Sequence, residues 1–438
     1  MPSRAIIRCF SIVCLTLLAG ACLGGNSRSF GESSSGGGPS NRGSKTTKGA
    51  TAKSLDSLLK SKTESLWKKG LGSVTSESLN DDEIVESLVR FVNRETTAEN
   101  LTPPLVQAMS LLAEAKQTQA AETLAKILES GDFRLVMAAA DIASTTKDRG
   151  FLEPLMKLTQ RREYSQRYGF RRCVVDAVAK YPDKKAVDFL VDRLEKSDGQ
   201  LKYETALSLQ KTTGQEFGGI ATDWRNWWQE NRDHFVFASR VEASQPVALN
   251  IAPKPIPWDE SRPSFYGMTF YAKRVVFVID RSGSMNSSVN GETRLERAQK
   301  ELQRAIKALT ESDYFNIVAF SDRMQVFQTK LVQATDANKL DGIRFGYGLD
   351  ALGETACYEP LKMGLDASND LELMLFLSDG EPNAGALVDP QAIVVAIANH
   401  NLTQRTTIHT LGIDARYSHE AFLKNLAEKN YGKLLLLR

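Results

Sequence analysis

The spacing of apolar positions changes in a few well-marked places along the chain, and each change predicts a different kind of structure. Residues 1–21 carry Arg4 and Arg8 ahead of an apolar stretch of about a dozen residues that closes on Ala19, Gly20 and Ala21, the layout of a secretory signal. That stretch is shorter than the ~20 apolar residues a membrane-spanning helix needs. Residues 22–52 are mostly Gly, Ser and Thr with almost nothing to bury, which predicts a flexible tether. From 53 to 235 the apolar positions recur at helical spacing with short polar breaks, so helices are expected throughout. Residues 236–270 contain Pro246, Pro253, Pro255, Pro257 and Pro263 without a clear period and read as a stiff connection between domains. From 271 to 438, unbroken apolar runs such as RVVFVID, YFNIVAF and LELMLFLSD alternate with amphipathic stretches. Runs apolar at successive positions predict strands covered on both faces, hence an α/β fold with a doubly wound, mostly parallel sheet, preceded by an all-α domain.

Within the helical part, Leu124, Leu155 and Leu190 occupy equivalent places in three similar segments, 31 and 35 residues apart. These segments resemble HEAT-like repeats, in which helical pairs stack side by side; an ordinary helical bundle would carry the same Leu and Ala stripes and stays open. The region ends in TDWRNWWQENRDHF, where Thr222 or Asp223 is placed to cap a helix bearing Trp224, Trp227 and Trp228 on one face. Such a face is expected to be buried, sealing the stack.

Composition narrows the picture. A chain of 438 residues with 42% hydrophobic content exceeds one ordinary core, so two or three packed units are expected. The net charge of +2 comes without a long basic run, which argues against nucleic acid as a partner. Cys9 and Cys14 leave with the signal, and Cys22, Cys173 and Cys357 are too scattered for a disulfide framework or a zinc site. Cys173 and Cys357 read as small buried residues. The sequence LAGAC resembles a bacterial lipobox with Cys22 as the lipidated residue, although Ala19 stands where leucine is usual; simple cleavage and lipidation both remain open. Either way the protein is expected to be exported to the bacterial cell envelope, periplasmic or membrane-anchored.

The candidate chemistry lies where apolar runs end. Asp280 closes RVVFVID and Asp379 closes LMLFLSD, while Ser282, Ser284 and Thr355 lie in loops next to predicted helices. In doubly wound sheets the ligand crevice forms at the carboxyl ends of the strands. Two carboxylates and three hydroxyls are hard oxygen donors, suited to Mg²⁺ or Mn²⁺ and unlike the imidazole or thiolate sets of zinc and copper. An isolated DxSxS is mostly a capping turn. Here DRSGSM, the Thr355 of GET and the Asp379 of SDGEP occur in order, and together they resemble the metal-ion-dependent adhesion site of von Willebrand factor type A domains. The resemblance implies that Asp280, Ser282, Ser284, Thr355 and Asp379 hold the ion, and that an Asp or Glu of a partner protein completes its coordination. Arg281 and Glu354 depart from the residues usual at their places, and both are expected to be solvated side chains pointing away from the site.

The sequence therefore favours a non-enzymatic, metal-dependent protein-binding module. One alternative is a helical-repeat scaffold whose ion is only structural. Another is a metal-assisted hydrolase, which lacks an expected base: His234, His400, His409 and His419 show no ligand spacing, and neither a GxSxG elbow nor a phosphate loop occurs.

Overall fold

In the computed structural model of the chain, residues 51–97, 101–237, 255–258, 260–289, 291–414 and 417–437 are described. The signal at 1–21, Cys22 and nearly all of the tether at 22–52 lie outside the described residues, as does much of the proline-containing connection. Helix-period stretches become helices and apolar runs become strands, and the chain divides into two compact units, 1–135 and 136–438.

The described part of the first unit is helical: α1 (Ala52–Leu59), α2 (Glu64–Leu71), α3 (Asp82–Thr96), α4 (Pro103–Glu114) and α5 (Thr118–Ser130). The start of α3 is set by Asp81, whose carboxylate accepts the Glu83 N–H at 2.9 Å. Its buried stripe is Ile84, Val85, Leu88, Val89, Phe91 and Val92. Pro103 opens α4, where a missing N–H costs nothing because that donor has no partner inside a helix.

The dividing line falls inside α6 (Phe133–Thr146). Beyond it come α7 (Leu152–Lys157), α8 (Arg162–Gln166), α9 (Tyr168–Ala179), α10 (Lys184–Lys196), α11 (Gly199–Thr213) and α12 (Ala221–Asn231). Cys173 is buried in α9. Helix α12 carries the tryptophans: Trp224 is fully buried, Trp228 nearly so, and Trp227 is half-buried against the same cluster. It begins at Ala221, so Thr222 and Asp223 lie within its first turn and are not its cap; Asp223 there suits the positive end of the helix.

The α/β part begins earlier than its first long strand. A small hairpin, β1 (Ser264–Phe265) and β2 (Met268–Thr269), places Phe265, Met268 and Phe270 in the core under the sheet, although these residues fall in the sequence's proline-containing connection. There follow β3 (Arg274–Asp280), a second small hairpin of β4 (Ser288–Val289) and β5 (Glu292–Thr293), α13 (Arg294–Ala308) and β6 (Tyr314–Phe320). After these come β7 (Met324–Val326), β8 (Val332–Gln333), α14 (Asp336–Tyr347), α15 (Tyr358–Leu365), β9 (Leu373–Ser378), α16 (Pro390–His400), β10 (Thr407–Ile413), α17 (Tyr417–Lys429) and β11 (Leu434–Leu437). The strand order is β11-β10-β9-β3-β6-β7, with β8 also pairing β6; β11 to β6 run parallel, and β7 and β8 are antiparallel to β6.

Alternation along the strands explains the two-layer cover. Val275, Phe277 and Ile279 join Leu373, Leu375 and Leu377 on one face under α13, packed by Leu295, Leu302 and Ile306. Val276, Val278, Met374 and Phe376 face the other way onto Leu361 of α15, Ile393 and Ile397 of α16, and Phe422 and Leu426 of α17. Cys357 is buried in this second layer.

Helices α9 and α11 of this second unit dock on the amino-terminal ends of the strands. Arg172 of α9 donates to the Arg405 carbonyl at 2.6 Å and to Thr407 Oγ1 at 3.0 Å at the start of β10, and pairs with Glu204 at 2.7 Å. Glu372, just before β9, accepts the N–H groups of Gln200 and Lys273, each at 2.9 Å, and pairs with Arg274 at 2.6 Å. Gly199 makes this approach possible: its φ is +57°, and a Cβ there would stand 2.3 Å from Glu372 Oε2. Tyr203 stacks on Tyr271 with centroids 4.4 Å apart. The helices thus occupy the amino-terminal edge and leave the carboxyl-terminal edge to the loops. No helix among the described residues is long and apolar enough to cross a membrane.

Candidate functional site

The chain leaves β3 toward β6 on one side and later returns to place β9 on the other, so the strand order reverses between β3 and β9. That is where an open parallel sheet parts its loops. Both strands end in the singled-out polar groups: Ile279 is in register with Leu377, and Asp280 and Asp379 follow closely on neighbouring strands.

Asp280 is fully buried. Its Oδ1 accepts the Ser282 N–H at 2.8 Å and its Oδ2 accepts the Ser378 hydroxyl at 2.7 Å. The first bond turns the chain back after the strand and carries Ser282 and Ser284 over its end. Ser282 Oγ and Ser284 Oγ lie 3.1 Å apart, and Ser284 Oγ donates to Asp379 Oδ1 at 2.7 Å. Thr355 arrives from a separate loop, held by its N–H on Asn383 Oδ1 at 2.7 Å and by its carbonyl, which accepts the Asn383 N–H at 3.0 Å. Its hydroxyl has no hydrogen-bond partner among the described residues. A Cβ on Gly380 would meet Thr355 Oγ1 at 3.4 Å and Ser284 Oγ at 3.9 Å, which places both hydroxyls around one small basin.

Neighbouring loops hold that basin in shape. Gly283 N–H donates to the Gly353 carbonyl at 2.9 Å, and Leu352 N–H donates to the Arg281 carbonyl at 2.9 Å. Gly353 has φ +83°, and a Cβ there would stand 1.9 Å from Asp322 Oδ1, so no larger residue fits that loop as it runs.

All five side chains singled out from the sequence, Asp280, Ser282, Ser284, Thr355 and Asp379, therefore meet at one edge. They offer oxygen donors of both charged and neutral kinds. Among the described residues no group of three or more His, Cys, Asp and Glu is placed to hold a metal ion, so any ion at this edge would depend on the hydroxyls as much as on the acids. Burial, and then the nearby charge of Asp379, push the Asp280 carboxyl up to about 6, against the opposing hydrogen bonds from Ser282 and Ser378. Two carboxylates this close repel each other, and a cation between them would relieve that repulsion.

The two departures noted in the sequence separate. Glu354 is exposed, as expected. Arg281 is 3% exposed and not solvated: its N–H donates to the Phe320 carbonyl at 2.8 Å and its Nη1 to the Asp350 carbonyl at 3.0 Å. The strand end that buries Asp280 also buries its neighbour, and Arg281 serves as a brace between loops.

Sequence reasoning missed Arg294 and Asp414, and it gave His419 no place near this edge. Arg294, the first residue of α13, pairs with Asp379 Oδ2 at 2.7 Å and with Asp414 Oδ2 at 3.0 Å. Its only sequence signal is a cation in the first turn of a helix, where the helix dipole disfavours it. His419 is buried nearby; burial pulls its imidazole down to about 4, although the charges of Asp379 and Glu381 act the other way. Neither ring nitrogen has a partner among the described residues.

Residues 275–381 match the family model of the von Willebrand factor type A domain. Over 177 residues the chain is 31% identical to inter-alpha-trypsin inhibitor heavy chain H4 of Homo sapiens, covering 38% of this chain and 18% of that protein. It is 28% identical over 177 residues to heavy chain H3 of Homo sapiens, covering 38% and 19% respectively. The chain thus spans about a fifth of the length of these curated relatives. A solved structure, a von Willebrand factor type A protein from Catenulispora acidiphila, is similar at 22% identity and a TM-score of 0.33, over 39% of this chain and 40% of that one. The family-model match falls on the α/β part that holds the basin.

Proposed function

We propose that the α/β part is a von Willebrand factor type A domain with a divalent-metal-dependent protein-binding site. Asp280, Ser282, Ser284, Thr355 and Asp379 would hold Mg²⁺ or Mn²⁺, and an Asp or Glu side chain of a partner protein would complete the coordination. The observation that carries this reading is the meeting of these five oxygen-bearing side chains at the point where the strand order reverses, with the Thr355 hydroxyl unpartnered among the described residues. Hard donors of this kind suit a hard cation. When bound, the ion would supply positive charge to an incoming carboxylate, since two acids and neutral hydroxyls leave it short of ligand charge. The helices on the opposite edge serve as a scaffold that keeps the loops clear, in the manner of HEAT-like stacks.

Binding is favoured over hydrolysis because His419, the histidine that feels the charge of Asp379, is unsuited to proton transfer. His419 is 1% exposed, so its imidazole cannot touch a substrate proton. We place the protein in the bacterial cell envelope, exported by its leader and either released or held through a lipidated Cys22.

The test is thermal unfolding of the full chain with and without Mg²⁺ or Mn²⁺. The wild type should melt at a higher temperature with either ion, and Asp280→Ala should lose the increase. A wild type indifferent to both ions would overturn the metal-dependent reading.

A further inference from the structure

Among the described residues, Arg294 is the one cationic side chain in direct contact with the basin's carboxylates. Its side chain is 18% exposed, and the guanidinium ties three segments together: Asp379 Oδ2 at the end of β9, Asp414 Oδ2 just past β10, and the Ser284 carbonyl at 3.5 Å in the loop after β3. Asp379 is thereby used on both sides, with Oδ1 on the Ser284 hydroxyl and Oδ2 on Arg294. Two features indicate that this arrangement is held against local preference. Arg294 occupies the first position of α13, behind the capping box of Thr293 and Glu296, where a positive charge opposes the helix dipole. Asp414 has φ +46°, a left-handed conformation that costs a non-glycine residue energy and that clusters at functional sites.

We propose that Arg294 is a built-in counter-cation that sets the affinity of the basin for its divalent ion. This rests on the metal-dependent reading above and adds its regulation. By neutralising part of the charge on Asp379, the guanidinium makes the site a weak one for Mg²⁺ alone. The ion is then retained best when a partner's carboxylate joins it. Asp414 moderates the effect by sharing the same guanidinium: the more firmly Asp414 holds it, the more of Asp379 is left for the ion. The device is electrostatic, and it needs no movement of the sheet.

The experiment is Mg²⁺ and Mn²⁺ titration of the full chain by calorimetry after chelation, with folding checked by melting. Arg294→Gln should bind Mg²⁺ about tenfold more tightly, the scale of removing one charge next to a divalent ion in a partly buried site. Lys300→Gln, which removes an exposed cation from the same helix, should leave the affinity unchanged. Asp414→Asn should weaken binding about threefold, and this effect should shrink in an Arg294→Gln background if it acts through Arg294. Unchanged or weaker binding by Arg294→Gln, or an Asp414→Asn effect undiminished by it, would overturn the proposal while the wild type still binds. Loss of all uptake in the wild type would instead sink the metal-dependent reading beneath it, and Asp280→Ala serves as the reference for that outcome. Should Arg294→Gln melt poorly, Arg294→Lys and Asp414→Asn decide: the lysine, which keeps the charge, should stay close to wild type in affinity.

Discussion

At the scale of residues, the site hangs on how Asp280 is treated by its surroundings. In water its carboxyl would titrate near 3.8, but burial and the neighbouring Asp379 lift it to about 6. A raised carboxyl makes the folded state hold a proton that the unfolded chain has released. Its contribution to stability is therefore fully present below pH 3.8 and is lost as pH rises through 6. The metal-free protein should lose up to about 3 kcal/mol over that window from this group alone. Urea unfolding at several pH values checks this, and Asp280→Asn should flatten the slope between pH 4 and 6. An ion acts in the opposite sense, because it binds the ionised form: the rise in melting temperature given by Mg²⁺ should be small at pH 5 and full at pH 7.5. The residues that make the basin were legible because three of them sit in one short motif and the other two carry their own local signatures. Arg294 and Asp414 were not, since they are separated by 120 positions and meet only after two strands have been set side by side. Arg281 was misjudged for the converse reason: an arginine usually signals solvent, and only the closed loop shows it donating to Phe320 and Asp350.

At the scale of elements, the long strands and helices of the α/β part could be read with little error because burial on both faces leaves an uninterrupted signal. RVVFVID and YFNIVAF coincide with β3 and β6. The elements that escaped are those with too few residues to show a period. The pair β7 and β8, which lie antiparallel on β6, spans three and two residues, and the β1–β2 hairpin spans two in each strand. That hairpin sits within a proline-containing stretch, yet Phe265 and Phe270 drop into the core beneath Phe277. Proline spacing marks where regular structure is interrupted and says nothing about isolated aromatic anchors. Helix α12 shows the reverse case, in which three tryptophans made burial predictable. Trp224 donates to the Gly218 carbonyl at 2.8 Å and packs edge-on against Phe217 at 5.1 Å. Trp224→Ala should cost roughly 3–5 kcal/mol by emptying that space and leaving the carbonyl unpaired. Denaturant titration followed by circular dichroism measures it, and Leu207→Ala, at an exposed site, should cost well under 1 kcal/mol.

At the scale of the molecule, the sequence separates helices from α/β domain at a proline-containing connection, while the fold of the second unit joins α9 and α11 directly to the sheet. The join is polar, and periodicity cannot reveal it, because Arg172, Glu204, Glu372 and Arg405 look like surface residues of their own helices and loops. Arg172 is 6% exposed, and its guanidinium also lies over the Tyr431 ring at 4.2 Å. Charges buried this deeply are tolerated only when paired, and removing one partner leaves the other stranded. Arg172→Ala should therefore destabilise the unit by about 3–5 kcal/mol, with Glu204 left buried opposite an empty position. The same contacts predict how that loss spreads. If α9 and β10 are parts of one cooperative unit, hydrogen exchange in peptides from 168–179 and from 407–413 should accelerate together in the variant, by similar factors. Exchange that quickens in α9 while β10 keeps its protection would mean that the helices merely rest on the sheet. In that case the scaffold could not steady the opposite edge, where Asp280 and Asp379 must stay aligned for an ion to find both.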